Sequence, residues 1–177
     1  MNKIIYYVAS SIDGYISGSE NDVSQFAQKG EAVEHYFKDL KDFKTVIMGR
    51  RTYEMGYKFG LKEGQAVYPT MKHFIFSNSL KFRKPNPKVC VCPISIDKVN
   101  EIKAKSESNI YLCGGGEFSG WLLKNGLVDQ IKLKLNPITL GSGIKLFGSL
   151  CTVNHWKLNK YKAFKDGLML LTYNKLT

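Results

Sequence analysis

The sequence lacks long hydrophobic runs, and this absence excludes whole classes of protein. No segment approaches the roughly 20 apolar residues that a transmembrane helix needs. Residues 1–7 turn polar too early for the core of a signal peptide. The sequence therefore predicts a cytoplasmic protein with no membrane partner. Its 177 residues, 44% of them hydrophobic, predict one globular domain over residues 1–177.

The four cysteines lack the C-x-x-C spacing of a typical metal site. Cys90 and Cys92 form C-x-C in an apolar run, where alternate residues share one face of a strand. Cys113 and Cys151 stand alone, and the three histidines are dispersed. Free and mostly buried thiols are the favoured interpretation, with metal ligation as the alternative. We expect no bound metal.

Arginine is also scarce, although the chain is strongly basic. Lys and Arg together number 26 against 15 acidic residues, a net charge of +11, yet only Arg50, Arg51 and Arg83 are arginines. Nucleic-acid binding predicts clustered basic residues with interleaved aromatics. The lysines are instead spread along the chain, so we expect no nucleic-acid partner. Alternating lysines in residues 130–135 and 156–161 are expected on the solvent face of late strands.

Hydrophobic periodicity predicts an α/β fold. Short, mostly apolar strands are predicted at residues 3–9, 45–48, 73–77, 89–92 and 109–113. Helices are predicted at residues 31–43, from a Ser95 cap to residue 105, and from the glycine triplet to residue 123. In the first helix, Val33, Phe37 and Leu40 have helical spacing. This alternation predicts a parallel sheet in the first part of the chain.

The C-terminal part of the sequence has a different pattern. Strands are predicted at residues 130–135, 156–161 and 168–173. Asp166-Gly167 lies between the last two and is a strong hairpin signal. The pattern therefore predicts a mixed sheet that ends in antiparallel strands.

The end of the strand at residues 45–48 has the composition of an anion site. Gly49 permits a tight turn, Arg50 and Arg51 offer fork-shaped donors, and Thr52 adds a hydroxyl at a helix start. The alternative is a helix start with two solvated arginines. We favour a site, because arginines at the positive end of a helix are unfavourable without an anion.

Two further strand ends carry similar residues. Gly114, Gly115, Gly116 and Glu117 follow the strand at residues 109–113, and their bare amides suit a pyrophosphate. Their spacing is not a Rossmann fingerprint, and the chain has no Gly-Lys-Ser/Thr of a Walker A motif. A glycine triplet alone is more often a tight turn.

Ser77 and Asn78 follow the strand at residues 73–77 in what is by itself an ordinary loop. Its interest is positional, because ligands of parallel sheets bind outside the carboxyl ends of the strands. All three strand ends are therefore expected to lie together.

A carboxylate and a glycine-rich loop are candidates for the substrate side. Asp13 follows the first strand, where a turn residue and a functional carboxylate are equally plausible. Residues 136–147 form a loop punctuated by glycines that could hold a ligand or simply redirect the chain.

These motifs together resemble the dihydrofolate reductase superfamily, in particular the C-terminal reductase domain of the bifunctional riboflavin-biosynthesis deaminase-reductase. The matching segments occur in the family's order: SIDGYIS at 11–17, MGRRTYE at 48–54, FSNS at 76–79, CGGGEFSGWLL at 113–123 and NPITLGSGIKLF at 136–147. The resemblance implies a three-layer α/β/α fold with a mostly parallel eight-stranded sheet and an antiparallel C-terminal hairpin. It also implies NADPH across the carboxyl ends of the strands, and a homodimer.

The resemblance also assigns cofactor contacts along this sequence. The candidate cofactor-binding residues are Val8 and Ala9 at the nicotinamide, Gly49, Arg50, Arg51 and Thr52 at the phosphates, Ser77 and Asn78 beside the 2′-phosphate, and Gly114, Gly115, Gly116 and Glu117 at the pyrophosphate. Adjacent arginines favour NADPH over NADH.

The sequence also departs from its relatives. Classical dihydrofolate reductases have a Pro-Trp after the first strand and a helical carboxylate for the pterin. Here no Trp precedes Trp121, and neither Glu31 nor Glu34 aligns clearly with that carboxylate. Tyr7 stands where the riboflavin-pathway reductases typically carry Lys, and the zinc deaminase signature is missing.

The predicted function is an NADPH-dependent reductase that transfers hydride to a C=N bond of a small heterocyclic or ribosylaminopyrimidine-type substrate. Such an enzyme would be similar to 5-amino-6-(5-phosphoribosylamino)uracil reductase. The alternatives are dihydrofolate reduction and a catalytically inactive nucleotide-binding module of the same fold. Asp13 is the candidate catalytic residue, which would orient substrate or relay a proton beneath the loop at residues 140–145.

Overall fold

The computed structural model describes residues 2–150 and 152–176, so Cys151 lies outside the described residues. Strands β1 to β10 comprise Ile4–Ser10, Tyr15–Ser17, Thr45–Gly49, Lys72–Phe76, Val89–Cys92, Ile110–Gly114, Gln130–Leu135, Ile144–Lys145, Trp156–Ala163 and Met169–Lys175. Helices α1 to α4 comprise Glu31–Leu40, Arg50–Met55, Ile96–Lys105 and Gly116–Lys124. Short 3₁₀ turns occupy Ser19–Asn21 and Gly56–Phe59.

Eight of these strands form one mixed sheet in the order β5-β4-β3-β6-β1-β7-β10-β9. The pairs from β5 through to β7 are parallel, whereas β10 is antiparallel to both β7 and β9. The small strands β2 and β8 pair separately as an antiparallel ribbon. This architecture confirms the predicted mostly parallel eight-stranded sheet with an antiparallel C-terminal hairpin.

The central strand β1 shows why the fold has three layers. Ile4 and Tyr6 point to one face of the sheet and pack with residues of α3 and α4. Ile5 and Tyr7 point to the opposite face and pack with residues of α1 and α2. Because both faces are covered by helices, the strand is hydrophobic from Ile4 to Ala9, as is usual in parallel sheets.

Local signals for capping and turns agree with the structure. The Ser95 side chain accepts a hydrogen bond from the amide of Lys98, so the predicted N-cap of α3 is confirmed. Asp166 and Gly167 lie in the turn between β9 and β10, where the Gly167 backbone has φ of 82°. The predicted hairpin is therefore confirmed.

Helix α1 buries a different stripe from the one that its spacing predicts. Val33 and Leu40 are buried, but Phe37 is 56% exposed and lies against the Tyr36 ring with centroids 5.3 Å apart. Ala32, which is fully buried, and Tyr36 instead complete the inward face with Leu40 at an i, i+4, i+8 spacing. Phe37 lies just outside that stripe.

The expectation that the alternating lysines of β7 face solvent is wrong. Lys134 is only 7% exposed, and Lys132 pairs with Asp39 of α1, Nζ to Oδ2, at 2.6 Å. Helix α1 covers this face of β7, so the lysine chains run beneath it and only their amino groups find polar partners. On β9, Lys157 and Lys160 are exposed, as the pattern predicts.

Core packing predicts a clear contrast between two leucines. Leu122 of α4 is fully buried between the helix and the sheet, whereas Leu158 on β9 is 45% exposed. We expect Leu122→Ala to lower the free energy of unfolding by about 2–5 kcal/mol, because it leaves a cavity. The control Leu158→Ala should cost at most about 1 kcal/mol. Urea unfolding measures both, and equal losses would contradict this account of the core.

Candidate functional site

A cavity of about 1210 Å³ opens at the carboxyl ends of β1, β3, β4 and β6. Small-molecule sites commonly measure roughly 300–1,000 Å³, so this one has room for more than one drug-sized ligand. Its lining includes the following predicted cofactor residues: Val8, Ala9, Gly49, Arg50, Arg51, Thr52, Ser77, Asn78, Gly115, Gly116 and Glu117. Gly114, also predicted to contact the cofactor, is not among the lining residues. The topology thus brings the three predicted strand ends together.

The two arginines at the start of α2 have different partners. Arg50 donates from Nε to Glu54 Oε1 at 2.7 Å and from a terminal nitrogen to Ser79 Oγ at 2.8 Å. Two of its five N–H groups are therefore occupied, and the guanidinium is held in place. Arg51 is exposed and makes no hydrogen bond or ion pair with the described residues. Both therefore have donors left for an anion.

The start of α4 presents bare backbone amides to the same cavity. Gly115 is the N-cap residue, and no described side chain caps the helix. A Cβ at Gly116 would overlap the carbonyl oxygen of Lys145, so a glycine is needed for this close approach of two backbones. A Cβ at Gly115 would lie 2.9 Å from Thr52 Oγ1. Unpaired amides at the positive end of a helix are suited to a phosphate.

The remaining cofactor candidates are held by local hydrogen bonds. Ser77 Oγ accepts from the amides of Ser79 and Leu80 at 3.2 and 3.0 Å. Asn78 Oδ1 accepts from the amide of Ile94 at 3.1 Å. Glu117 accepts from the amide and hydroxyl of Ser149. These bonds fix the rim of the cavity before any ligand is present.

Asp13 organises a loop and does not line the cavity. Its carboxylate accepts from Ser11 Oγ at 2.6 Å, from the Gly141 amide at 2.7 Å and from the Leu140 amide at 3.1 Å. The hydrogen bond from Ser11, followed by that from Gly141, lowers the pKa of Asp13 below its usual range. The carboxylate is thus ionised at neutral pH and is a weak base, which suits orientation better than proton relay.

The opposite wall of the cavity contains a hydroxyl without a partner. Ser17 on β2 is only 3% exposed, it lines the cavity, and its Oγ has no hydrogen bond among the described residues. A buried hydroxyl left unpaired costs roughly 1–3 kcal/mol. A polar atom of a bound ligand would remove this cost.

Sequence reasoning missed an aromatic part of the cavity wall. Tyr36 of α1, Tyr68 in the loop before β4, and Tyr111 of β6 bring their hydroxyls together, and we call these three residues the phenol cluster. Tyr36 and Tyr111 hydroxyls are 2.6 Å apart, and Tyr68 and Tyr111 hydroxyls are 3.4 Å apart. Strand alternation could have paired Tyr111 with Cys113 on one face. No sequence signal pointed to Tyr36 or Tyr68.

Burial determines the protonation of this region. Desolvation raises the pKa of all three phenols and of the Cys113 thiol. The Tyr7 ring also lines the cavity, in edge contact with Tyr36 at 4.8 Å between centroids. The aromatic wall is therefore electrically neutral at physiological pH.

Two acidic residues of α1, Glu31 and Glu34, lie away from this wall. Glu31 pairs with Lys162 of β9, Oε1 to Nζ, at 2.7 Å, and Glu34 is exposed. Neither residue lines the cavity. Glu54 and Glu117 do line it, but they are bonded to Arg50 and Ser149. The third acidic residue of α1, Asp39, is a hydrogen-bond partner of Tyr7 and pairs with Lys132, and it does not line the cavity. Among the described residues that line the cavity, no carboxylate is therefore without a partner at the aromatic wall.

The described ranges show neither a metal cluster nor a membrane-spanning helix. Within residues 2–150 and 152–176, no three His, Cys, Asp or Glu side chains group in a way that could hold a metal ion. Nor does any helix of that part reach the length and apolarity needed to span a bilayer. Cys90, Cys92 and Cys113 are free thiols.

The sheet order and the cavity at its carboxyl edge define a dihydrofolate-reductase-like α/β protein. More particularly, the chain belongs to the RibD C-terminal domain family, whose profile matches residues 2–170. It is 26% identical to the uncharacterised protein YwjB of Bacillus subtilis over 171 residues, which cover 95% of each chain.

Solved structures agree with this family. A protein of Shewanella sp. PV-4, whose name assigns it to riboflavin biosynthesis, is 26% identical over all of both chains, with a TM-score of 0.82. Dihydrofolate reductase of Enterococcus faecalis, solved with NADP(H), has a TM-score of 0.69 at 14% identity, over 98% of this chain and 96% of its own. The latter likeness shows the fold.

The contacts of Asp13 generate a prediction for the loop at residues 140–145. Asp13→Asn should speed hydrogen exchange of the Leu140 and Gly141 amides, because the acceptor loses its charge. The control Asp22→Asn removes a similar exposed carboxylate bonded to the Ser24 amide elsewhere, and should leave both amides unchanged. The pKa of Asp13 is lowered, so wild-type protection should persist above about pH 4 and fade only as pH falls below it.

NMR exchange rates of the two amides measure this effect. Unchanged rates in Asp13→Asn would show that the carboxylate does not hold the loop.

Proposed function

We propose that the protein is an NADPH-dependent reductase that transfers hydride to a C=N bond of a small heterocyclic or ribosylaminopyrimidine-type substrate. This proposal rests on one observation: two arginines and the bare amides of α4 line the same cavity as a neutral aromatic wall. The first group suits the phosphates of a dinucleotide. The second suits an organic ring.

The chemistry of the donors fits NADPH. Arg51 and the remaining N–H groups of Arg50 can bind phosphate oxygens, while Ser77 keeps a hydroxyl hydrogen free to donate. The amides after Gly115 add donors without side-chain bulk. Val8 and Ala9 supply a small, apolar surface at the end of β1, as a flat ring requires.

When bound, NADPH supplies the hydride to the substrate carbon, the substrate nitrogen takes a proton, and NADP⁺ and the saturated C–N bond are the products. The residues of this chain bind and orient the cofactor and the substrate, and they exclude water from the site. Asp13, ionised and bonded to the Leu140 and Gly141 amides, is proposed as a positioning residue that keeps the loop over the site. Its substitution should therefore lower kcat more than it weakens NADPH binding.

Similar proteins support this proposal. The chain belongs to the family of a riboflavin-biosynthesis domain, and a protein of the same fold was solved with NADP(H). Dihydrofolate reduction is less well supported, because Glu31 is engaged with Lys162 on the outer side of α1. The homodimer and the cytoplasmic location stay predictions.

Arg51 gives a direct test of the cofactor assignment. Arg51→Ala should raise the Kd for NADPH about tenfold or more, because a charge-assisted hydrogen bond to phosphate is lost. Arg83→Ala is the matched control, since Arg83 is exposed and lies outside the cavity lining. Isothermal titration calorimetry with NADPH and NADH measures both variants. If NADPH affinity is unchanged in Arg51→Ala, the assignment is wrong.

The reaction itself is tested by following absorbance of the reduced cofactor. The purified protein is mixed with NADPH and a panel of ribosylaminopyrimidines and pterins, and we expect oxidation with a compound that contains a C=N bond. Tight NADPH binding without oxidation by any compound would favour the inactive nucleotide-binding module instead.

A further inference from the structure

The aromatic part of the cavity differs in charge from the part beside the helix starts. The charged side chains in the cavity lining are those of Arg50, Arg51, Glu54, Glu117 and Lys145. The first three belong to α2, Glu117 lies in the first turn of α4, and the Lys145 backbone covers Gly116. The phenol cluster, Tyr7 and Cys113 contribute no charge.

The nearest lysines are engaged behind the aromatic rings. Lys132 Nζ is bound to Asp39 and lies 4.7 Å from the centre of the Tyr7 ring. Lys134 Nζ donates to the carbonyl oxygen of Ala27 at 3.1 Å and lies 5.7 Å from the centre of the Tyr36 ring. Neither residue lines the cavity. Among the described residues that line the aromatic wall, none offers a cation to a phosphate placed against it.

The phenol cluster can hold a polar ring edge without charge. Each phenol both donates and accepts, and the Tyr111 hydroxyl is already shared between Tyr36 and Tyr68. The Tyr36 hydroxyl has Tyr111 and Tyr68 as hydrogen-bond partners, and because a phenol can donate once and accept twice, capacity for one ligand contact remains. Burial keeps these groups protonated, so they remain neutral donors and acceptors.

A smaller cavity extends this neutral region. It measures about 350 Å³, and it shares Tyr68 and Cys113 with the main cavity. None of its described lining residues is charged, and Met48, Met55 and Leu61 contribute apolar surface. An apolar or small uncharged substituent fits this space, whereas burial of a phosphate without a partner is strongly unfavourable.

We propose that the phenol cluster is the substrate-binding wall, and that the substrate is an uncharged, planar heteroaromatic ring without a phosphate group. This inference rests on the proposed reductase function and narrows its substrate class. It separates the site from one that accepts a phosphoribosyl compound. Tyr36 and Tyr68 are its specificity-determining residues.

The test uses the full chain saturated with NADP⁺, which blocks turnover and leaves the substrate part of the cavity open. Three probes are titrated by calorimetry: lumazine, 5-amino-6-(ribosylamino)uracil and the 5′-phosphate of the latter. We expect lumazine to bind, and the unphosphorylated ribosyl compound to bind at least about tenfold more tightly than its phosphate. Binding of the phosphate with equal or greater affinity would overturn the proposal.

Two variants test whether the phenol cluster binds the substrate ring. Tyr36→Phe should weaken lumazine binding about fivefold to tenfold, with Kd for NADP⁺ unchanged, since one neutral hydrogen bond is lost. Tyr68→Phe removes longer contacts and provides a second variant if the first is poorly folded. Tyr161→Phe is the matched control, because this tyrosine is exposed on β9. The control should bind every probe as the wild type does.

The outcomes separate the two proposals. Failure of the wild type to bind NADP⁺ or NADPH would refute the reductase function itself. Normal NADP⁺ binding with no binding of lumazine, or with a preference for the phosphate, would overturn only the substrate inference. An equal loss of NADP⁺ and lumazine affinity in Tyr36→Phe would also overturn it, since the cluster would then belong to the cofactor wall.

Discussion

Burial of both faces of the parallel sheet is the constraint on which the rest of the structure depends. Successive residues of β1, such as Tyr6 and Tyr7, enter different cores, so the strand interior has no place for a solvated polar group. Polar groups that meet a ligand are therefore confined to the ends of the strands. Because the central strands are parallel, their carboxyl ends share one edge, and the polar groups of distant segments collect there.

At that edge, glycines allow backbone segments to pack directly against one another. A side chain at Gly116 would overlap the backbone at Lys145, and one at Gly143 would overlap the carbonyl of Ser17. These contacts bring α4, β2 and β8 together as walls of one cavity. The result is a part of the cavity with arginines and bare amides beside a neutral part made of phenols. Two chemically different ligand groups can thus be bound side by side.

Much of the fold could be predicted from the sequence, because strand alternation, Ser95 and Asp166-Gly167 are local signals with local consequences. The predicted cofactor residues, such as Arg51 and Gly116, could also be proposed from the sequence, since they follow strands whose carboxyl ends are expected at one edge of a parallel sheet. The phenol cluster was not. Its members come from a helix, a loop and a strand, and a tyrosine in any of these is usually part of a core.

The sequence by itself determined the eight strands of the main sheet in chain order, the resemblance to a reductase family and the residues at the strand ends, whereas it did not predict β2 and β8. Only the tertiary structure decided that the lysines of β7 lie beneath α1, that Asp13 binds the Leu140 and Gly141 amides, and that three tyrosine hydroxyls meet. The physical reason is the separation along the chain over which each effect acts. Periodicity and capping act over a few residues, whereas burial and charge pairing depend on which distant segment covers a side chain.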